Sequence, residues 1–425
     1  IDQILPDVSF EEEEDFQDDR SGLDESSSQV VKFVDQILVT AFRNNASDIH
    51  IEPSVITRRT TIRFRTDGVC HEYVQVPNAM APAIISRLKI MAELDIAEKR
   101  LPQDGKIKVR RKGIQEFELR LSTMRTAGRV EDAVLRILTR TGSIRIDDIG
   151  LNERNLGLLK KLIARPYGML LCVGPTGSGK TTTLHAALAH INQPGVKIWT
   201  AEDPVEITQP GLRQVQVRPK IGLDFARVMR GFLRLDPDII MIGEMRDKET
   251  ATIGLEAALT GHLVLSTLHT NNAPETLTRL VEMGMNPLNI SDAFLGVLGQ
   301  RLVRRLCQGC IEGYHPGEEE FEDLRMDYGR EAFDGAGLAY GPGVALKRST
   351  GCEKCSGSGF KGRIGIHELM EATYAVKLLI KKGATSFDLA RQAAADGMTT
   401  LKQDGIRKIM DGITTIREVR RVCVD

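Results

Sequence analysis

Apolar positions along the chain change their spacing several times, and each change predicts a new element. From Val30 they recur at helical spacing (Val30, Val31, Phe33, Val34, Ile37, Leu38, Ala41 and Phe42), which predicts an amphipathic helix with Ser28 placed to cap it. The period drops to two at Ile49 and Ile51, so a strand is expected there. Thr61-Ile-Arg-Phe-Arg65 and Val69-Cys-His-Glu-Tyr73 flank Thr66-Asp67-Gly68, the pattern of a hairpin. A helix from Ala81 to Lys99, a second hairpin about Lys112-Gly113 and a strand from Glu116 to Leu121 complete a mixed α/β domain ending near Ile146. Residues 150–300 alternate strand-like and helix-like segments, as a parallel sheet requires. Beyond Leu369 helical spacing returns at Val376, Leu378, Leu379 and Ile380, then at Leu389, Ala390 and Ala393, which predicts a small helical subdomain with no chemistry of its own.

Composition changes this picture at two places. Residues 1–29, with Glu11-Glu-Glu-Glu-Asp15 and Ser26-Ser-Ser28, hold few apolar positions and read as an acidic linker. The whole chain, at 425 residues with 57 Lys and Arg against 58 Asp and Glu, has room for several cores but no net charge to attract nucleic acid or a membrane surface. Lys106-Ile-Lys-Val-Arg-Arg-Lys112 reads as the wet face of a hairpin, with a subunit interface as the alternative. The longest apolar runs are strand-sized and no signal-peptide pattern opens the chain, so a soluble, cytosolic protein is expected. Because the chain opens on Ile1, a preceding region carrying any membrane-docking domain is also expected.

The candidate chemistry starts at the apolar run Met169-Leu-Leu-Cys-Val173, which leads into Gly174-Pro175-Thr176-Gly177-Ser178-Gly179-Lys180-Thr181-Thr182. A strand, a glycine-rich loop and a helix start in this order form a P-loop. Glycines let backbone N–H groups converge on phosphates, Lys180 reaches the β- and γ-phosphates of a nucleoside triphosphate, and the Thr181 hydroxyl completes a Mg²⁺ shell. Two acidic motifs close later strands: Ile198-Trp-Thr-Ala-Glu202-Asp203-Pro204-Val-Glu206, and Asp238-Ile-Ile-Met-Ile-Gly243-Glu244. A carboxylate there can hold the Mg²⁺ shell or polarise the attacking water. His262 and His269 bracket the apolar Leu263-Val-Leu-Ser-Thr267, and either can sense a γ-phosphate or be satisfied within the core.

Four of seven cysteines stand in two tight pairs, Cys307-Gln-Gly-Cys310 and Cys352-Glu-Lys-Cys355, while Cys70, Cys172 and Cys423 are scattered. In a cytosolic protein the pairs read as a closed tetrahedral Zn²⁺ site that stabilises a small subdomain, with disulfides as the weaker alternative.

Taken as a set, these motifs resemble the bacterial secretion-motor ATPases that drive type II secretion and type IV pilus assembly. The resemblance runs through Ala46-Ser-Asp-Ile-His-Ile-Glu52, Arg63-Phe-Arg-Thr-Asp-Gly68, Asp95-Ile-Ala-Glu-Lys-Arg-Leu-Pro-Gln-Asp-Gly105, the P-loop and Glu202-Asp-Pro-Val-Glu206. It continues through Gly243-Glu-Met-Arg-Asp247, Leu259-Thr-Gly-His-Leu-Val-Leu-Ser-Thr-Leu-His-Thr-Asn271, the tetracysteine insertion and Gly365-Ile-His-Glu368. It implies an α/β fold: a PAS-like domain at 30–146, a RecA-like motor domain at 147–300, a zinc subdomain at 301–365 and a helical subdomain at 366–425. It implies that Arg120 and Arg136 are directed at ATP phosphates, and that Arg230, Arg234, Arg246 and Arg279 serve nucleotide sensing or subunit contacts. The sequence departs from the family pattern at Arg125-Thr-Ala-Gly-Arg-Val-Glu-Asp132, where relatives commonly carry a short Gly-Glu followed by a basic residue.

The mechanism expected is Mg-ATP hydrolysis by a water that Glu202 orients, with Glu244 supporting metal and water and with Arg120, Arg136 and His269 completing the site. The resemblance also implies a homo-hexameric ring that moves an inner-membrane platform protein, with membrane contact only through partners and no nucleic acid bound. A retraction motor is one alternative, although such motors generally lack the tetracysteine insertion. A RecA-like nucleic-acid translocase is a second, disfavoured by the neutral charge and 5% aromatic content. A scaffold that binds nucleotide without hydrolysing it is a third.

Overall fold

The computed structural model describes residues 28–111, 113–138, 144–337, 340–341 and 344–423. The acidic linker, up to residue 27, and the Ser28 side chain expected as a cap lie outside the described residues. The chain divides into two compact units, residues 1–139 and 140–425.

The first unit is an antiparallel sheet covered on one face by two helices. Its elements are α1 (Ser28–Arg43), β1 (Asp48–Ser54), β2 (Arg59–Thr66), β3 (Val69–Pro77), α2 (Ala81–Met91), β4 (Gln103–Arg111), β5 (Ile114–Arg125) and β6 (Glu131–Leu138). The six strands take the order β3-β2-β1-β6-β5-β4. Alternate residues of each strand turn inward: Ile49 and Ile51, Ile62 and Phe64, Ile107 and Val109, and Phe117, Leu119 and Leu121 meet Val34, Ile37, Leu38 and Ala41 of α1 in one core. Phe42 stacks on Phe117 at 4.2 Å between ring centroids. The charged run at 106–111 follows this alternation, with Ile107 and Val109 buried and its neighbours exposed.

Helix α2 stops at Met91, well short of the predicted Lys99. Glu93 adopts a left-handed backbone with φ of 56°, and the loop after it is fixed by side chains rather than by helical bonds. The Gln103 amide donates to the Asp95 and Glu98 carbonyls at 2.8 and 2.9 Å. The buried Lys89 ammonium donates to the Glu98 carbonyl at 2.8 Å and pairs with Glu131 at 2.6 Å. Gly105 is required here, since a Cβ on it would lie 2.8 Å from the Ala92 carbonyl oxygen.

The second unit is built on a seven-stranded sheet. Its first part comprises α3 (Glu153–Ile163), β7 (Gly168–Val173), α4 (Lys180–Ile191), β8 (Ile198–Glu202), β9 (Leu212–Gln216), α5 (Phe225–Phe232), β10 (Ile239–Ile242), α6 (Lys248–Leu259) and β11 (Leu263–Leu268). Then come α7 (Ala273–Glu282), α8 (Pro287–Ala293), β12 (Phe294–Leu306), β13 (Ile311–Tyr314), α9 (Glu318–Tyr328), α10 (Arg330–Gly335), β14 (Leu346–Ser349) and β15 (Phe360–Glu371). Four helices end the chain: α11 (Tyr374–Lys381), α12 (Ser386–Ala395), α13 (Leu401–Met410) and α14 (Ile416–Val422).

Strand order is β15-β12-β7-β11-β10-β8-β9, parallel throughout except for the antiparallel pair β12 and β15. Helices cover both faces, so successive residues of β7 enter different cores: Met169, Leu171 and Val173 one, Leu170 and Cys172 the other. β12 runs through position 300 and β15 through position 365, so the segment between them is a long excursion from one sheet. β13 pairs with β14 inside that excursion. Its helices pack Phe321, Leu324, Tyr328 and Phe333 against Leu401, Ile406 and Ile409 of α13 and Val419 of α14.

Candidate nucleotide and metal sites

Parallel pairing brings the carboxyl ends of β7, β11, β10 and β8 to one edge of the sheet. Val173 lies beside Leu268, Ser266 beside Ile242, and Ile242 beside Ala201. The P-loop, His269, Glu244 and Glu202 all follow from that edge, where open α/β sheets hold their ligands. His262 precedes β11 at the opposite end, roughly 20 Å away by strand rise, and its Nδ1 lies 3.0 Å from the Ala257 carbonyl oxygen. Of the two histidines, His269 is the one on the P-loop side.

Helix α4 begins at Lys180 with Gly179 before it in the left-handed region and with no side chain capping its first turn. Its first N–H groups therefore remain available to an anion, and Pro175, Thr176 and Gly177 are exposed in front of them. Thr181 and Thr182 stand half-buried on the first turn. Lys180 folds back on the loop, donating to the Gly174 carbonyl at 2.7 Å and the Pro175 carbonyl at 3.0 Å. Burial pulls its ammonium below the ordinary lysine range, while Cys172 and Glu244 act in the opposite sense.

Sequence reasoning missed the part of this site that β12 supplies. Gln300 donates its amide to the Ser178 carbonyl at 2.8 Å and accepts from the Thr183 hydroxyl at 2.7 Å. A Cβ on Gly174 would fall 2.4 Å from the Gln300 carbonyl oxygen, so this glycine answers to the neighbouring strand as well as to a ligand. Arg301, buried beside it, donates to the Asn271 carbonyl at 2.7 Å and to the Gln300 carbonyl at 3.1 Å. Asn271 closes a motif singled out above, but nothing in the local pattern of Gly299-Gln300-Arg301 marks a loop-supporting strand.

The two glutamates occupy different surroundings. Glu244 keeps 19% of its side chain exposed, with the His269 Nε2 at 3.0 Å and the Arg246 Nε at 2.7 Å. Glu202 is 2% exposed. Its Oε1 accepts from Thr200 at 2.6 Å and from Gln214 at 2.9 Å, and its Oε2 lies 3.0 Å from the His185 Nε2. Burial pushes the carboxyl up, but the donors His185, Thr200 and Gln214 outweigh it and hold Glu202 below the usual carboxylate range.

Arg120 and Arg136 belong to the first unit, where they are cross-strand partners on the exposed face of β5 and β6. The buried Asp48 carboxylate accepts from Arg136 Nε at 3.0 Å, and Asp104 lies 3.7 Å from Arg120. The Arg136 side chain is 60% exposed. Among the motor-domain arginines, Arg230 pairs with Glu249 and Arg279 with Glu282 at 3.4 Å, both on the surface.

Cys307, Cys310, Cys352 and Cys355 converge at the neck of the β12–β15 excursion, their sulfurs all within 4.8 Å of one another. Three of these separations are 3.8 Å. A tetrahedron with Zn–S bonds of about 2.3 Å has an edge of about 3.8 Å, so the cluster fits zinc. The N–H groups of Cys352 and Cys355's downstream neighbour Gly359 point at Cys355 Sγ from 3.1 and 3.3 Å. They pull that thiol below the ordinary cysteine range, while burial and the neighbouring thiols push Cys310 up.

A glycine loop that opens an uncapped helix, beside a strand-end carboxylate, defines a P-loop nucleotide-binding protein. Within that class the chain belongs to the Type II/IV secretion system protein family, whose profile matches residues 24–421. It is 46% identical over 398 residues to the type IV pilus assembly ATPase PilB of Thermus thermophilus, covering 93% of this chain and 43% of that protein. It is 43% identical over 399 residues to the type II secretion system protein E of Pseudomonas aeruginosa, covering 94% of this chain and 76% of that protein. The X-ray structure of the Legionella pneumophila ATPase DotB shares the fold, with a TM-score of 0.67 at 21% identity over 95% of this chain and 97% of that one.

Proposed function

We propose that the chain hydrolyses Mg-ATP as a motor of type IV pilus assembly or type II secretion. In this reading it acts as a homo-hexamer on an inner-membrane platform protein, at the cytoplasmic face. The observation that carries the ATPase reading is the uncapped start of α4 at the same sheet edge as the strand-end carboxylate Glu244. The printed names of the two relatives support the machine, and they divide evenly between pilus and secretion. Among the described residues no helix is long and apolar enough to cross a membrane.

Each residue then has a task. The first-turn N–H groups of α4 and Lys180 bind the β- and γ-phosphates, and Lys180 leaves the Gly174 and Pro175 carbonyls to do so. Mg²⁺, when held by Thr181 and through Glu244, would neutralise charge developing on the phosphoryl oxygens. His269 orients the Glu244 carboxylate. Glu202 orients the attacking water, and Arg120 and Arg136 offset phosphate charge. The PAS-like, motor, zinc and helical divisions at 146, 300 and 365 belong to the same proposal.

Phosphate release by the purified chain with saturating Mg-ATP tests the reading. Release that vanishes in Lys180→Ala supports it, while its absence in the wild type favours a non-hydrolysing scaffold. Deleting the gene and complementing with wild type or Lys180→Ala separates the machines: loss of surface fibres alone marks pilus assembly, and loss of secreted enzymes alone marks secretion. Steeply salt-dependent binding to DNA or RNA would favour a translocase.

A further inference from the structure

The buried carboxylate of Glu202 is held by a chain of side chains that no motif announced. A carboxylate offers roughly four lone-pair sites. Thr200 and Gln214 take two on Oε1, and His185, on the P-loop helix α4, takes one on Oε2. None of the contacts given by the described residues takes the second site on Oε2.

The imidazole is itself fixed. Gln209 Nε2 lies 3.0 Å from both His185 Nδ1 and the His185 carbonyl oxygen. A carbonyl only accepts, so the amide must present its nitrogen there rather than its oxygen. Its other hydrogen then points at Nδ1, which must be the unprotonated nitrogen, and the ring proton sits on Nε2, aimed at Glu202. His185 and Gln209 are both fully or nearly fully buried, so water does not substitute for either contact.

We propose that His185 is a positioning residue for hydrolysis: locked by Gln209 as its Nε2–H tautomer, it fixes Oε2 of Glu202 so that the remaining lone pair is directed at the attacking water. The proposal rests on the reading of Glu202 as the water-orienting group. Two donors on Oε1 alone leave the carboxylate free to pivot about that oxygen, and the third contact removes this freedom. It also links the start of Glu202-Asp-Pro-Val-Glu206 to α4, so the group that aims the water is registered against the helix that receives the phosphates. The groups facing Glu202 from the other packed segments, Thr200 on β8 and Gln214 on β9, do not titrate. A loss of the His185 contact therefore leaves burial less opposed.

The test is steady-state ATP hydrolysis by the full chain from pH 5.5 to 8.5, comparing Glu202→Gln, His185→Phe and His185→Gln. Glu202→Gln should lose about a hundredfold in kcat. His185→Phe should lose about tenfold in kcat with KM for ATP unchanged, and the acid limb of its pH profile should move to higher pH. His185→Gln, which returns a neutral donor, should restore most of the loss and the limb. A catalytically normal Glu202→Gln would remove the reading of Glu202 itself. An inactive Glu202→Gln beside a His185→Phe with wild-type kcat and pH profile would overturn the role of His185 alone. Should His185→Phe fail to fold, long-range ¹H–¹⁵N correlation of the wild-type histidines decides: an Nε2–H signal for His185, assigned by its absence from His185→Gln, supports the proposal and an Nδ1–H signal overturns it.

Discussion

The two sheets of this protein present their polar residues in opposite ways. In the first unit, charge lies across the strands: Arg120 and Arg136 face each other on the wet side of an antiparallel sheet whose inner side is apolar. In the second, β7, β10 and β11 are buried along their whole length, and polar chemistry is displaced to the strand ends. A sheet with one covered face can carry function on any alternate position, whereas a sheet covered on both faces has only its edges and ends to offer.

The largest effect expected from this contrast is at a strand end. Lys180→Ala should lower hydrolysis by about a hundredfold or more, while its melting transition stays close to wild type, since the ammonium's hydrogen bonds go to two loop carbonyls. Retained turnover would break the assignment of chemistry to the strand ends.

Next come consecutive residues along a strand. Leu170→Ala and Leu171→Ala should each cost about 2–5 kcal/mol in chemical denaturation, because the two leucines enter different cores. On β5 the alternation should reappear, with Leu119→Ala costing about 2–5 kcal/mol and Arg120→Ala within about 0.5 kcal/mol. Equal losses at Leu119 and Arg120 would erase the distinction.

A subtler case is β15, which carries a carboxylate into the interior. Glu368 accepts from the Ala273 N–H at 2.6 Å and the Leu401 N–H at 3.4 Å, the first residues of α7 and α13, yet burial pushes it up to about 7. Folding then favours its protonated form, so the native state binds more protons than the unfolded one between the ordinary carboxylate value and about 7. Its contribution is present at low pH and is lost as pH rises through that window, by up to roughly 3 kcal/mol. The neighbouring His367, buried and held down to about 3, acts in the opposite sense and loses stability as pH falls below its ordinary value. Glu368→Gln should remove the first slope, so that the stability difference from wild type changes sign or shrinks between pH 5 and 7 in urea titrations. A difference independent of pH would show that Glu368 does not titrate on folding.

The legible parts of the structure were local. Gly174 to Thr181 carries its strand, turn and helix start in consecutive residues, and the two cysteine pairs carry their own knuckles. The helix predicted to Lys99 overran because Lys89 and Gln103 bind the backbone of the next ten residues, contacts that apolar spacing does not encode. Gln300 was invisible for a related reason: it reaches the P-loop from a strand more than a hundred residues later, with Arg301 beside it bonded to Asn271. His185 fell on the inward face of α4 at a position that periodicity treats as core, and its contacts with Glu202 and Gln209 separate it from an ordinary buried histidine.

The lobe that departs from the sheet at Cys307 is anchored twice, by the thiols at its neck and by the aromatic face of α9 and α10 on α13 and α14. Tyr328 links the two layers further, its carbonyl accepting from Gln403 at 3.0 Å and its hydroxyl from Arg407 at 3.0 Å. Amide exchange should therefore find α9 and α13 opening together as one cooperative block. If the four thiols hold Zn²⁺, Cys352→Ala should lower the zinc found by metal analysis and speed exchange in the knuckles while that block stays closed.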